Sequence, residues 1–228
     1  MSRIGGRPRQ FDEADIVRVG REIGMRDLSM NAVASRLGVS SAALYRHIED
    51  RWALERLVGE GILGELELAD DPADGTVAHL LALGVRLRAF LLEHPGLAAY
   101  VQILFPRGEG GRRLLAMGAA GLTRRGYEMD AAIVLCSAVA SVVIGYAATE
   151  EAQRERADGL EAERRNAIAE LLADARLGVA HRVMPEVSAD EYVRLWLGSV
   201  VRGFVSAAPP GRSLVEIMAA LRAAGEDF

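Results

Sequence analysis

Residues 28–48 read LSMNAVASRLGVSSAALYRHI, two short helical patterns on either side of a glycine. Ser29 stands where its hydroxyl can cap a helix beginning at about Met30. In Leu37-Gly38-Val39-Ser40, Gly38 supplies the left-handed residue that stops that helix, and Ser40 can cap the next one. Val39 and Leu44 are spaced to pack back on Val33 and Ala34, which sets the angle between the two helices. Two short helices joined this way form a helix-turn-helix, whose second member enters the DNA major groove. Small residues at Ser41, Ala42 and Ala43 let the backbone approach base edges, with hydroxyls hydrogen-bonding and an alanine methyl touching thymine. Tyr45, Arg46 and His47 suit phosphate oxygens or the groove wall; Arg46 suits guanine as well. An αα-corner with no DNA role has the same spacing, so the residues alone leave both readings open.

Outward from this motif the pattern is helical. Ile16, Val19 and Ile23 recur at helix spacing before it, and Leu54, Leu57, Val58 and Ile62 after it. Val77, Leu80, Leu81, Gly84, Leu87 and Leu91 continue the theme. Tyr192, Leu195, Trp196, Ser199, Val200, Gly203 and Phe204 trace one face of a late helix, while Val193, Leu197, Val201 and Val205 make its other face apolar. Such a helix must be covered on both sides, by its own domain or by a partner chain. No alternating strand pattern appears, and the predicted class is all-α. Breaks are expected at Asp70-Asp71-Pro72, at Glu93-His94-Pro95-Gly96, at Phe105-Pro106-Arg107-Gly108 and at Pro209-Pro210-Gly211. The predicted organisation is an arm and helix-turn-helix over 1–50, a connecting helix over 51–68 and a second domain over 69–228. The charged stretch Glu150 to Arg165 reads as a mobile extension or linker.

The composition is that of an ordinary soluble protein, half hydrophobic and 26% charged, with a formal charge of −5. That excludes a protein coated in base but not one with a local basic patch. Residues 1–56 hold ten Arg against eight acids, so their sign is opposite to that of the remainder. Every basic residue is Arg, read as compositional bias. Cys136, the single cysteine, sits in an apolar run and reads as a buried hydrophobe. Ala131 to Thr149 carries no charge and is long enough to cross a bilayer, but its Ala, Ser and Gly content and its acidic flanks favour a buried bundle helix. The first residues lack an apolar core, so no leader is expected, and a cytoplasmic location is. Neither a His-Glu-x-x-His, a phosphate loop nor a nucleotide fingerprint occurs. Gly108-Glu109-Gly110-Gly111 reads as a plain loop. The four histidines, 47, 79, 94 and 181, are scattered: His94 ends a helix, and His79 is equally core, surface or pocket. No enzyme, metal or cofactor is expected.

Residues 7–58 taken together resemble the DNA-binding domain of the TetR family of regulators. The markers are the helix from about Phe11 to Gly24, Leu28-Ser29-Met30, Ala34-x-x-Leu37-Gly38-Val39-Ser40, Leu44-Tyr45-x-His47 and Arg51-x-x-Leu54. The resemblance implies that Leu44-Tyr45-x-His47 lies on the recognition helix, with Tyr45 and His47 on phosphates, Arg51 reaching phosphate and Asn31 touching base or backbone. Arg7 and Arg9, with Arg3, precede the first helix in a Gly/Pro-rich arm that is either a solvated tail or a minor-groove arm.

Residues 76–206 resemble the family's effector and dimerisation domain more loosely, through His94-Pro95-Gly96, Arg124-Arg125-Gly126-Tyr127 and the aromatic-bearing helix near 190–205. The resemblance implies a homodimer in which helices 130–150 and 189–207 form a four-helix interface. Ser137, Ala138, Ser141 and Gly145 would let the helices approach, and Val200, Gly203 and Phe204 would cover the partner. It also implies an effector pocket near Leu87, Tyr100, Val101, Phe105, Pro106 and Met117, with Tyr146 and Trp196 as looser candidates. Tetracycline-binding relatives carry a His near Tyr100 and Val101 to hold the drug's magnesium; none stands there, so an apolar or aromatic effector is expected instead. The partners implied are a palindromic double-stranded DNA operator, a small-molecule effector and a second copy, with no membrane. The expected function is a transcriptional regulator, a repressor released by the effector.

Overall fold

The computed structural model describes residues 11–104 and 108–225, and among them are twelve helices and no strand. The all-α expectation holds. The first four helices are α1 (Glu13–Ile23), α2 (Met30–Leu37), α3 (Ser41–Leu44) and α4 (Arg51–Leu63). Each begins at a side chain that accepts from its own first turn: Asp12 from the amide of Asp15, Ser29 from Ala32, Ser40 from Ala43 and Asp50 from Ala53. Gly38 takes φ 72° and ψ 32°, the left-handed stop predicted for it, and the Val39 amide closes back on Ala34 O. Ile16, Val33, Leu44, Leu54 and Val58 are fully enclosed where these helices meet, and Val39 packs against them from the edge.

The connecting helix is shorter than predicted. α4 ends at Leu63, not near Leu68, and the chain leaves it in a tight turn, Glu65 N to Ile62 O and Leu66 N to Leu63 O. Leu66 is buried and Leu68 half-buried, so the apolar spacing reflected burial of a loop rather than continued helix. Asp70-Asp71-Pro72 accordingly lies in that loop and stops no helix.

The second half contains α5 (Thr76–Glu93), α6 (Leu97–Leu104), α7 (Glu109–Thr123), α8 (Met129–Glu155), α9 (Ala157–Ala173), α10 (Gly178–Arg182), α11 (Ala189–Ala207) and α12 (Leu214–Gly225). α8 is apolar and long enough to span a membrane by length and composition. Here it is the axis of a bundle, packed against α5, α6, α7 and α11, with Ala132, Leu135, Val139, Val143 and Ala147 buried. His94 caps the end of α5 as expected, its Nδ1 2.8 Å from Phe90 O.

Two regions differ from their sequence expectation. Glu150 to Arg165 is no linker: α8 runs through Glu155 and α9 begins at Ala157. Its Ala, Glu and Arg are strong helix formers, and its first acids have partners. Arg88, 13% exposed, grips Glu150 with two bonds of 2.6 Å, and Arg26 reaches Glu151 at 2.7 Å. Gly108-Glu109-Gly110-Gly111 is likewise no plain loop; it caps and opens α7.

Candidate nucleic-acid interface and interior cavity

α3 is four residues long, and Tyr45, Arg46 and His47 lie in the turn after it rather than on the helix itself. The chain stays helix-like there, Tyr45 N bonding Ser41 O and Ile48 N bonding Leu44 O at 3.0 Å each, so the three side chains still follow the helix direction. Below them Leu44 and Ile48 are buried, while Ser40, Ala42, Tyr45, Arg46 and His47 are exposed and Ser41 and Ala43 half-buried. The motif thus offers a small polar face on a rigid apolar base. Asn31 is exposed on α2 and its Oδ1 accepts from the Ser41 hydroxyl at 2.9 Å, so in this state it sets the position of α3. The His47 ring rests on Phe11, centroids 4.5 Å apart, which ties it to the segment entering α1. Arg51 is exposed but its Nε holds Glu55 at 2.7 Å, so it must leave that partner to reach a phosphate. Arg7 and Arg9 lie outside the described residues, as do Phe105 and Pro106.

A cavity of about 370 Å3 lies among α5, α6, α7 and α8 and the end of α4. Leu63, Leu66, Leu68, Leu83, Leu87, Val101, Leu114, Leu115, Ala140 and Ile144 make most of its wall, and its polar groups are Gln102, Cys136, Ser137 and Ser141. Among the described residues, no charged side chain lines it. Burial pushes the Cys136 thiol up to about 12, so it is a neutral wall atom. Leu87 and Val101, predicted for the pocket, line this cavity. Tyr100 does not: it lines a separate cleft of about 620 Å3 between α4, α6 and α8, bounded by Trp52, Ile103 and Ala148. That cleft's charges are already paired, Arg51 with Glu55 and Arg26 with Glu151 and Glu155, which leaves it little to offer a ligand. Desolvation first, then the nearby Glu60, raises the Tyr100 phenol above its ordinary range.

The other predicted pocket residues lie elsewhere. Met117 takes a contact from Arg113 at 3.3 Å, and Tyr146 stacks on Trp196, centroids 5.0 Å apart, where α8 meets α11. Ser137 and Ser141, predicted for a dimer face, line the cavity, Ser141 being exposed and Ser137 half-buried. Ala138 and Gly145 are half-buried on α8. On α11, Val193, Leu197 and Val201 are buried within the chain, whereas Tyr192 and Leu195 are exposed, Val200 and Phe204 half-buried and Gly203 exposed. The two-sided character read from the sequence is therefore real, and one side is open. His79, undecided in the sequence, is buried with Nδ1 2.8 Å from Asp70. Sequence reasoning missed Leu83, Gln102, Leu114, Leu115 and Ile144 as cavity residues; an aliphatic residue facing a cavity has the same pattern as one facing another helix. Among the described residues, no His, Cys, Asp and Glu group could hold a metal.

Residues 16–50 match the family described as bacterial regulatory proteins, tetR family. An HTH-type transcriptional regulator of Saccharopolyspora erythraea is 28% identical over 149 residues, which cover 65% of this chain and 62% of that relative. The match thus spans about three-fifths of the curated relative's length. Among solved structures, the Streptomyces coelicolor TetR family protein ActR in complex with actinorhodin superposes with a TM-score of 0.74 at 21% identity, over 90% of this chain and 100% of that one. BioQ with its double-stranded DNA operator superposes with a TM-score of 0.55 at 20% identity, over 72% of this chain and 100% of that one. The helix-turn-helix and its capped flanking helices thus match the N-terminal domain of the tetR family of bacterial regulatory proteins over residues 16–50, and the all-helical second half shares the fold of ActR.

Proposed function

We propose that this chain is a DNA-binding transcriptional regulator and no enzyme, a cytoplasmic homodimer that represses from a palindromic operator until a small, uncharged, mostly apolar effector fills the cavity. The observation that carries the reading is the pairing of two sites on one helix. α4 is buried into the helix-turn-helix at Leu54 and Val58, and its far end, Leu63, forms part of the cavity wall. Tyr45, 54% exposed, with Arg46 and Ser40, is left uncovered by the described residues, as suits phosphate and groove contact. The lack of charged groups among the described residues of the cavity wall favours a neutral ligand, because an ion there would lose its hydration without a counter-ion. ActR holding actinorhodin and BioQ holding its operator support the two halves of the reading. Open apolar groups on α8 (Ile133, Val134) and α11 (Tyr192, Leu195) suit burial against a second copy. Ligand binding would favour a spacing of the two recognition helices that no longer matches successive major grooves.

The test is selection of duplexes from a random pool by the purified protein, followed by affinity at two salt concentrations. A palindrome with half-sites about one helical turn apart, bound more weakly in higher salt, is expected. Tyr45→Ala should weaken binding about tenfold across all selected sequences alike, since a phosphate contact carries no base information. Folded dimer that enriches nothing would sink the reading.

A further inference from the structure

The glycine-rich start of α7 has a purpose that its composition hid. α7 has no side-chain cap of its own, its N-cap being Gly108. The missing acceptor comes from α4: the Glu60 carboxylate takes the amide of Gly108 on Oε1 and that of Gly111 on Oε2, each at 2.8 Å. A carboxylate at that end also meets the positive end of the helix dipole. The exchange is mutual. Arg113 of α7 donates through one nitrogen to the carbonyls of Gly64 and Leu66 at 2.8 and 2.7 Å, satisfying groups left open where α4 stops. Between these grips the backbones touch: a Cβ on Gly110 would lie 2.4 Å from Glu60 O. Each helix therefore closes the other's end, with charge-assisted bonds at both.

This clasp sits on the cavity. Leu63 and Leu66 beside it on the α4 side, and Gly111, Leu114 and Leu115 on the α7 side, all form cavity wall. The other end of α4 is locked into the DNA-binding domain through Leu54 and Val58. Resting on the reading of the cavity as an effector site, we infer that Glu60 and Arg113 are the positioning residues that carry cavity occupancy to the helix-turn-helix, by making α7 and α4 move as one body. A ligand that pushes on Leu114 or Leu115 then displaces α4 instead of merely reshaping the loop. Tyr100 supports the same carboxylate, its hydroxyl 3.5 Å from Glu60 Oε1.

The test fills the cavity from within, so that no unknown effector is needed. Leu115→Trp does so from α7 and Ser137→Phe from α8. Each is placed in the otherwise unchanged chain and in the Glu60→Gln and Arg113→Met backgrounds, and amide hydrogen exchange is followed across residues 11–50. Filling should change exchange there by about fivefold in the otherwise unchanged chain and by less than about twofold in either clasp variant, the non-additivity expected of coupled groups. Should Glu60→Gln fail to fold, Arg113→Met carries the comparison from the other half of the clasp. An equal response in all backgrounds would mean that the signal takes another path, and no response in any would mean that cavity and domain are uncoupled. Loss of the fold in both clasp variants would reduce the clasp to simple support. Each of these three outcomes overturns the inference. Because no duplex enters the readout, a chain that passes this test yet selects no DNA would break the regulator reading alone.

Discussion

The N-terminal helices and those around the cavity end in opposite ways. α1, α2, α3 and α4 are each capped by the residue just before them, Asp12, Ser29, Ser40 and Asp50. α5, α7 and α8 start at Gly75, Gly108 and Glu128 and have no such bond. At α7 the acceptor comes from Glu60, 48 residues away from Gly108 in the chain. The first arrangement makes each helix largely self-sufficient and its boundaries stiff. The second makes helix ends depend on how the helices are packed, which suits the effector response proposed for this region. Locally capped helices hold their own boundaries, and mutually capped helices hold each other's.

If that contrast is right, substitutions should be costlier at the long-range contacts than at the local caps. Gly110→Ala drives a methyl into the α4 backbone, where no flexible side chain can yield, so about 3 kcal/mol of stability should be lost. Urea denaturation measures this, and a loss no greater than that for a cap would erase the contrast. Asp70→Asn tests a second long-range cluster, in which Arg124, Arg125 and His79 converge on one carboxylate from α7's end and α5. Desolvation raises the pKa of this group, but the bonds from Arg124 and Arg125 outweigh it and hold the pKa below the ordinary carboxylate value. Its folded pKa being depressed, the stabilisation is complete above the unfolded value and is lost as pH falls through the folded one. The variant should therefore be about 2 kcal/mol less stable near neutrality, and the gap should shrink steadily below about pH 4. A gap that does not vary with pH would remove the charge from the explanation. Smallest are the local caps: Ser29→Ala and Ser40→Ala should each cost about 1 kcal/mol. The two losses should roughly add, to within about 0.5 kcal/mol, if each cap serves only its own helix. A strongly non-additive pair would make the N-terminal half as interdependent as the other.

The same contrast explains which features were legible in the sequence. Ser29, Gly38 and Ser40 act within four residues of themselves, so their roles could be read from a short window, and the structure repeats them. The reading failed where burial imitates helix, as at Leu66 and Leu68, and where charge imitates solvation. Glu150 and Glu151 look like a solvated run until Arg88 and Arg26 arrive from far away in the chain. Predicted pocket residues fared unevenly for a related reason. Leu87 and Val101 line the cavity, but Tyr100, one position from Val101, faces another cleft, because adjacent helical residues point about 100° apart.

By itself the sequence determined the all-helical class, the helix-turn-helix with its caps and left-handed turn, and a late helix that is apolar on two sides. These rest on periodicity and on contacts spanning a few residues, which a linear chain displays directly. Only the tertiary structure decided that α4 stops at Leu63, that Ser137 and Ser141 line a cavity whose described wall carries no charge, and that Glu60 and Arg113 close each other's helices. Those depend on which distant groups meet, and the free energy of a buried carboxylate or an uncapped helix end is set by its partner rather than by its neighbours in sequence.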